Sequence, residues 1–191
     1  MGASLLLQTA MKQILYEDTR QVLGKHDRKN EWWRSHGVEV VRKKLDFGDY
    51  MVDGSNVSVD TKRNISEVAM DCGRDHDRFA REMDRAREAG YRLVILIETT
   101  GNFPTVESLA RWMNTSCERC QHFRARACNP LAKRGRCIKF KRPPMRGETL
   151  AKIMATMASD HGCVFELVHP MVAAKRVCDL LGVRYDLHGR T

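Results

Sequence analysis

The sequence predicts an α/β protein in which helices flank a mixed central β-sheet. Strand-like runs rich in Val, Ile and Leu alternate along the 191 residues with amphipathic helical segments. One run, residues 93–98, is almost wholly apolar, which is typical of a strand buried on both faces. Hydrophobic residues make up 42% of the chain, and its length fits a single domain with a core of ordinary size.

Six short segments are predicted to be β-strands. Each is rich in apolar or β-branched residues, and turn-forming residues separate them. The predicted strands cover residues 14–18, 38–42, 49–52, 57–62, 93–98 and 164–168. Asp53-Gly54, between the third and the fourth, predicts a tight β-hairpin.

Helical segments are predicted in most of the remaining chain. Phe79, Met83 and Ala86 form an apolar stripe at helical spacing, and Gly90 is placed to end that helix. The predicted helices cover part of residues 21–33, then 75–89, 105–113, 150–157 and 172–181.

The domain organisation follows from these elements. Residues 1–13 are predicted to form an N-terminal arm, and residues 14–191 a single domain with an irregular insertion at about 114–146. No apolar run approaches the length of a membrane span, and the short run at Leu5 has no basic region before it. We therefore expect a soluble protein of the cytoplasm, without a membrane partner.

The positive charge is concentrated in one segment. The formal net charge is +9, yet residues 111–146 contain eleven Lys and Arg against one acid, Glu118, and the remainder holds 22 basic and 23 acidic residues. A local basic field attracts polyanions, of which nucleic acid is the commonest; a solvated charged loop is the alternative. The residues expected to contact DNA are Arg20, Arg63, Arg78, Arg124, Arg126, Lys133, Arg134, Arg136, Lys139, Lys141 and Arg142.

The predicted hairpin carries a group of residues suited to phosphodiester hydrolysis. Asp49 lies on its first arm, and Asp60 and Lys62, two residues apart on the second, share one face. Carboxylate oxygens bind Mg²⁺, which neutralises phosphate charge and activates water, and a lysine stabilises the charge that develops. An isolated Asp-x-Lys is a weak motif, because surface strands carry such pairs often.

The order of the motifs makes the prediction more specific. Asp18-Thr19-Arg20-Gln21 ends the first strand, Gly48-Asp49-Tyr50 and Asp60-Thr61-Lys62 form the hairpin, and Glu67 follows. Gly147-Glu148-Thr149-Leu150 opens a later helix. From about residue 14 to 182 this series resembles the nuclease domain of the XPF-type structure-specific endonucleases, within the PD-(D/E)xK superfamily, above all the small standalone versions carried by phages and prophages.

The resemblance implies a restriction-endonuclease-like fold and a metal-dependent endonuclease acting on DNA, with selectivity for branched or flap substrates. It implies Mg²⁺ or Mn²⁺ held by Asp49, Asp60 and Asp18, with Lys62 as the catalytic lysine. Gln21 and Glu67 are additional candidates. A homodimer and a bacterial or phage-encoded origin are further implications of the resemblance.

The chain departs from the family pattern at four positions. Gln21 and Asp60 each stand where the family has Glu, so one carboxylate is lost and one is shortened. Thr61 replaces Arg, and Glu67 lies one residue beyond the family's Asp. The amide oxygen of Gln21 could still coordinate a metal ion weakly or through water. A catalytically inactive DNA-binding module is therefore the first alternative to the endonuclease.

Four of the seven cysteines cluster in the basic insertion. Cys117-x-x-Cys120 has the spacing of a zinc knuckle, but eight residues separate Cys128 from Cys137. These thiols, with His122 as a substitute ligand, are candidates for Zn²⁺ binding; unrelated reduced cysteines are the alternative. A zinc-stabilised interaction protein is accordingly the second alternative function. The odd number of cysteines argues against a disulfide framework.

Overall fold

The computed structural model describes residues 13–22, 24, 27–132 and 136–188. Except for Gln13, the predicted N-terminal arm lies outside the described residues. The strands are β1 (Ile14–Asp18), β2 (Glu39–Lys43), β3 (Tyr50–Val52), β4 (Val57–Lys62), β5 (Arg92–Glu98) and β6 (Val164–Val168). The helices are α1 (Asp27–Ser35), α2 (Ile65–Asp71), α3 (His76–Glu88), α4 (Thr115–Glu118), α5 (Gln121–Arg124), α6 (Gly147–His161) and α7 (Ala173–Leu181).

The strands form one six-stranded sheet in the order β2-β1-β3-β4-β5-β6. β1 runs parallel to β2, and β3 runs antiparallel to both of its neighbours, β1 and β4. β4, β5 and β6 are parallel to one another. The sheet is therefore mixed, and the predicted fold class and all six predicted strands are confirmed.

Helices cover both faces of the sheet and create two cores. Leu93, Ile95 and Ile97 of β5 belong to the core that contains α2, α3 and α6. Val94 and Leu96 point the other way, into the core that contains α1 and α7. The apolar run of β5 is thus buried on both faces because alternate residues fill different cores.

β4 shows the predicted alternation, although all six of its residues are buried. Val57 and Val59 pack in the α1 and α7 core. Lys62 lies on the opposite face, with its Nζ 5.0 Å from the centre of the Phe79 ring on α3. The polar residues of the strand are therefore placed under the helices at its carboxyl end.

The prediction that part of residues 21–33 is helical is confirmed by α1, whereas two other helical segments differ from the prediction. The predicted helix at 105–113 is a short 3₁₀ helix, Glu107–Arg111. α2 was not predicted, because a helix of seven residues is too short to show a clear period. Asn64 caps α2 by accepting a hydrogen bond from the Glu67 N–H at 3.0 Å.

Within the described residues, no helix combines the length and the apolar character needed to cross a membrane. The predicted insertion at 114–146 contains only the one-turn helices α4 and α5 in the parts that the structure describes.

Candidate active site

Asp49 is positioned by backbone contacts to two strands. Its N–H donates to the carbonyl of Val59 on β4 at 2.8 Å, and its carbonyl accepts from the N–H of Asp18 on β1 at 2.8 Å. Gly48 precedes it at φ +67, and a Cβ there would lie 2.2 Å from Ser58 Oγ. The Gly-Asp pair is required because only glycine fits this backbone shape beside β4.

The Asp49 carboxylate is buried and hydrogen-bonded on both oxygens. Oδ2 accepts from the Thr61 N–H at 2.8 Å and from Thr61 Oγ1 at 2.7 Å. Oδ1 accepts from the side-chain amide of Gln21. Burial raises the pKa of Asp49, and the two Thr61 bonds oppose that rise. Thr61 therefore orients Asp49, a contribution that its place in the motif did not predict.

Lys62 lies between two buried carboxylates. Its Nζ is 2.9 Å from Asp60 Oδ2 and 3.0 Å from Asp71 Oδ2. Asp71, at the end of α2, also pairs with the exposed Arg78 at 2.9 Å. Although both oxygens touch the ammonium, neither Asp60 Oδ2 nor Asp71 Oδ2 makes a hydrogen bond of good geometry.

The electrostatics of this group suit a bound cation. Burial raises the pKa of Asp60 to about 8; the charges of Asp49 and Glu82 add to the rise, and Lys62 opposes it. Burial lowers the pKa of Lys62, but the carboxylates of Asp60 and Asp71 outweigh burial and raise it above its ordinary value. Lys62 therefore remains an ammonium at neutral pH and cannot serve as a general base there.

The predicted residues line an open cavity of about 200 Å³ at the carboxyl end of β4. Polar side chains dominate its wall, as expected where a charged substrate must enter. The lining residues are Arg20, Gln21, Val22, Asp49, Asp60, Thr61, Lys62, Arg63 and Glu67. Seven of these nine were singled out from the sequence, the exceptions being Val22 and Thr61.

Asp18 is not among the residues that line the cavity. Its carboxylate is buried and pairs with Arg20, with Oδ2 2.5 Å from Arg20 Nε. The other oxygen accepts from the N–H of Arg20 at 3.2 Å and from that of Leu45 at 3.4 Å. In this arrangement Asp18 holds Arg20 at the rim of the cavity.

Glu67 lines the cavity but is also engaged at the start of α2. One of its oxygens accepts from the Arg63 N–H at 2.9 Å. Together with the Asn64 cap, this resembles a capping box at the helix N-terminus. The position of Glu67 therefore has a local structural reason in addition to its place beside Asp60.

Asp71 is a candidate site residue that the sequence did not predict. It lies nine positions after Lys62 and meets it only because α2 folds back over the end of β4. The sequence signal for Asp71 would have been an acidic residue at the end of a short helix that follows the Asp-x-Lys strand. Because that helix was not predicted, Asp71 was not recognised.

A larger groove continues from the cavity toward the basic insertion. It has a volume of about 680 Å³, and Arg63 lines both the groove and the cavity. Arg111 and Arg119 line the groove farther along, and both are exposed. The Ser66 and Thr115 hydroxyls lie 3.3 Å apart, so the start of the insertion sits beside α2.

The remaining candidate DNA contacts are arranged as follows. Arg78 is exposed but is paired with Asp71, so its guanidinium is partly engaged. Lys133 and Arg134 lie outside the described residues. The other basic residues predicted in the insertion are all exposed, namely Arg124, Arg126, Arg136, Lys139, Lys141 and Arg142.

No three His, Cys, Asp or Glu side chains among the described residues are grouped closely enough to hold a metal ion by themselves. Three carboxylates line the cavity, and because Glu67 is engaged by the Arg63 N–H, Asp49 and Asp60 are the two best placed to bind a metal ion. Two carboxylates are a sufficient protein contribution for Mg²⁺, which keeps several waters and takes further oxygens from substrate phosphates. The residues present therefore fit a Mg²⁺ or Mn²⁺ site that is completed by its substrate.

The mixed sheet with helices on both faces is a restriction-endonuclease-like fold. It is similar to the structure of XPF from Aeropyrum pernix, with a TM-score of 0.51 and 19% sequence identity. The similarity covers 88% of this chain and 63% of that one. No protein-family model and no curated protein matches the sequence. The likeness is thus one of fold.

Proposed function

We propose that this protein is a metal-dependent endonuclease that hydrolyses phosphodiester bonds in DNA. The observation that carries the proposal is the convergence of Asp49, Asp60 and Lys62 on one open cavity at the edge of an XPF-like fold. Fold likeness alone does not define activity, so the weight rests on this group of residues.

Asp49 and Asp60 are the residues that would hold Mg²⁺ or Mn²⁺, whereas the predicted metal contact of Asp18 would require its carboxylate to leave Arg20. The ion, when bound, would neutralise phosphate charge and lower the pKa of a bound water. Thr61 keeps the Asp49 carboxylate in one orientation through two hydrogen bonds. Lys62, as a permanent ammonium, would stabilise the charge that develops on the phosphate and orient the attacking water.

The DNA backbone would lie along the groove that leads from Arg63 to the insertion. Exposed arginines at both ends of this path, and the net charge of the insertion, favour contacts to phosphates without sequence readout. Selectivity for branched or flap DNA is a finer part of the proposal, and it is inherited from the resemblance.

A catalytically inactive DNA-binding module is the second candidate, and one contact favours it. The Gln21 amide donates to Asp49 Oδ1, at the position where the family has a carboxylate. This bond replaces a potential metal ligand with a donor that competes for Asp49. A weak or absent metal site would leave binding without cleavage.

Cleavage assays with matched variants distinguish the two candidates. Labelled duplex, single-stranded, flap, fork and four-way-junction DNA would be incubated with Mg²⁺, Mn²⁺ or EDTA. We expect metal-dependent cleavage by the wild-type chain and a loss of at least about a hundredfold in Asp60→Ala. Asp46→Ala is the control, because Asp46 is an exposed aspartate that does not line the cavity. Binding without cleavage of any substrate would favour the inactive module.

A further inference from the structure

The basic insertion has almost no core of its own. In its described parts, residues 114–132 and 136–146, Cys120 is the one buried residue, and the only regular structure is the single-turn helices α4 and α5. A segment this long loses much conformational entropy when it is ordered, and apolar burial does not compensate here. A cross-link or a bound metal is the usual way in which such a segment acquires a fixed shape.

All four cysteines of the insertion point inward. Cys120 is buried, and Cys117, Cys128 and Cys137 are half-buried. In every case both neighbours along the chain are exposed, so the cysteine is the inward-facing residue of its local stretch. This shared orientation is what a common ligand site requires.

The same four cysteines line a single cavity. Its volume is about 40 Å³, and its wall includes Trp112, Phe123 and Phe140. His122, the substitute ligand suggested by the sequence, does not line it. The other three cysteines, Cys72, Cys163 and Cys178, are buried in the main cores. The cavity is therefore lined by all four cysteines of the insertion and by none of the other three.

One of the four thiols already accepts a hydrogen bond from the backbone of the insertion. Cys137 Sγ accepts a hydrogen bond from the Phe140 N–H at 3.3 Å. Backbone donors to sulfur stabilise the thiolate form that binds metals.

As for the other His, Cys, Asp and Glu side chains that the structure describes, the four thiols are not yet close enough together to coordinate a metal ion. Zn–S bonds are about 2.3 Å long, so binding would require the side chains to close on the cavity. The cavity volume exceeds the roughly 10–15 Å³ that one small sphere needs. Four thiolates and one Zn²⁺ would carry a net charge of −2, which the surrounding arginines and lysines offset.

We propose that Cys117, Cys120, Cys128 and Cys137 bind one structural Zn²⁺ that orders the basic insertion. Each thiol releases its proton to solvent on binding, and no oxidation or reduction takes place. A site closed by four thiolates has no open position, so its role is structural. The ordered insertion then presents its arginines beside the groove at a fixed geometry.

Metal content of the purified full chain tests the proposal. We expect one zinc per chain by elemental analysis, a loss of most of that zinc in Cys117→Ser and Cys137→Ser, and full retention in Cys163→Ala. Cys163 is the matched control because it is a buried thiol outside the insertion. Wild-type protein with no zinc, with an iron–sulfur cluster or with disulfides among the four cysteines would overturn the proposal.

A second measurement on the wild-type chain avoids variants that fail to fold. Cobalt added to the metal-free protein should produce the thiolate charge-transfer absorption of a tetrahedral site, and excess zinc should abolish it. Chelation should make four further thiols reactive and speed tryptic cleavage within the insertion. An unchanged thiol count after chelation and the absence of the cobalt spectrum would each contradict the proposal. Both readouts are independent of DNA cleavage, so the outcome is separate from that of the proposed nuclease activity.

Discussion

The ammonium of Lys62 is held by two carboxylates, and this arrangement gives Asp71 a definite place in the proposed reaction. Asp60 shares the open cavity with Lys62, whereas Asp71 does not line it. Asp71 approaches from α2 and is itself balanced by Arg78. In the proposed reaction Asp71 would therefore be a positioning residue that acts through Lys62.

Asp71→Asn is expected to lower kcat for DNA cleavage by about tenfold to a hundredfold, while KM for DNA changes little. The amide keeps the shape of the side chain but removes the charge that fixes the ammonium. Single-turnover and steady-state rates would be measured beside Asp75→Asn, an aspartate outside the cavity at the start of α3. A drop in thermal stability with unchanged kcat would show that Asp71 has only a structural role.

Gln21→Glu restores the carboxylate that the family pattern contains, directly beside Asp49. We expect the variant to be less stable in EDTA, because the new carboxylate would lie against the buried carboxylate of Asp49 and the two charges repel each other. Divalent metal should then stabilise it more than the wild type, by about 1.4 kcal/mol for each tenfold gain in affinity. Thermal unfolding with and without Mn²⁺ measures both effects.

Gln121→Glu, which adds an exposed carboxylate on α5, is the control for the change in net charge. An equal metal-dependent shift in Gln121→Glu and Gln21→Glu would argue against metal binding at Asp49.

At the scale of elements, the hairpin between β3 and β4 determines where the site forms. Gly48, which has a left-handed backbone, precedes the first arm. The next residue, Asp49, makes backbone hydrogen bonds to both β1 and β4. α2 then returns over the end of β4 and completes the surroundings of Lys62. The candidate site thus depends on a close approach of the backbone at Gly48 to β4, which only glycine permits.

Gly48→Ala is expected to destabilise the fold by more than about 3 kcal/mol. The left-handed conformation alone costs roughly 1–2 kcal/mol for alanine, and the new Cβ would collide with Ser58. Gly54→Ala measures the conformational cost alone, because Gly54 also has a positive φ but a Cβ added there would have no atom within 4 Å. Urea unfolding of both variants gives the difference, and equal losses of stability would contradict the steric argument.

At the scale of the whole molecule, the charge and the cavities are arranged along one path. The groove joins the carboxylate–lysine cavity to the insertion that carries the excess positive charge. One side of the molecule therefore combines a candidate reaction centre with a candidate DNA-binding surface. The homodimer implied by the resemblance stays a prediction, which sedimentation at several protein concentrations would test.

Arg119→Ala combined with Arg124→Ala is expected to weaken binding to duplex DNA about equally for different sequences. If each arginine contacts one phosphate, the slope of log K against log salt should fall by about 2. Fluorescence anisotropy across a salt series measures the slope. The matched control is Arg85→Ala with Arg92→Ala, in which Arg92 lies at the opposite end of β5 from the cavity. Equal losses in both double variants would place the DNA elsewhere.

The sequence by itself determined the strands, most of the longer helices and the chemical character of the candidate site. Alternation in β4, the apolar run of β5 and the Gly-Asp turn are local patterns, since each depends on neighbours a few positions away. They were enough to predict six strands, the fold class and the group of Asp49, Asp60 and Lys62.

Only the tertiary structure decided which distant residues meet. Asp71 reaches Lys62 through an unpredicted helix, Gln21 donates to Asp49 across 28 positions, and Asp18 turns to Arg20 instead of the cavity. The four inward-facing thiols share one cavity for the same reason. Such contacts arise from the packing of whole elements, and no periodicity along the chain encodes a distance between residues that lie far apart in it.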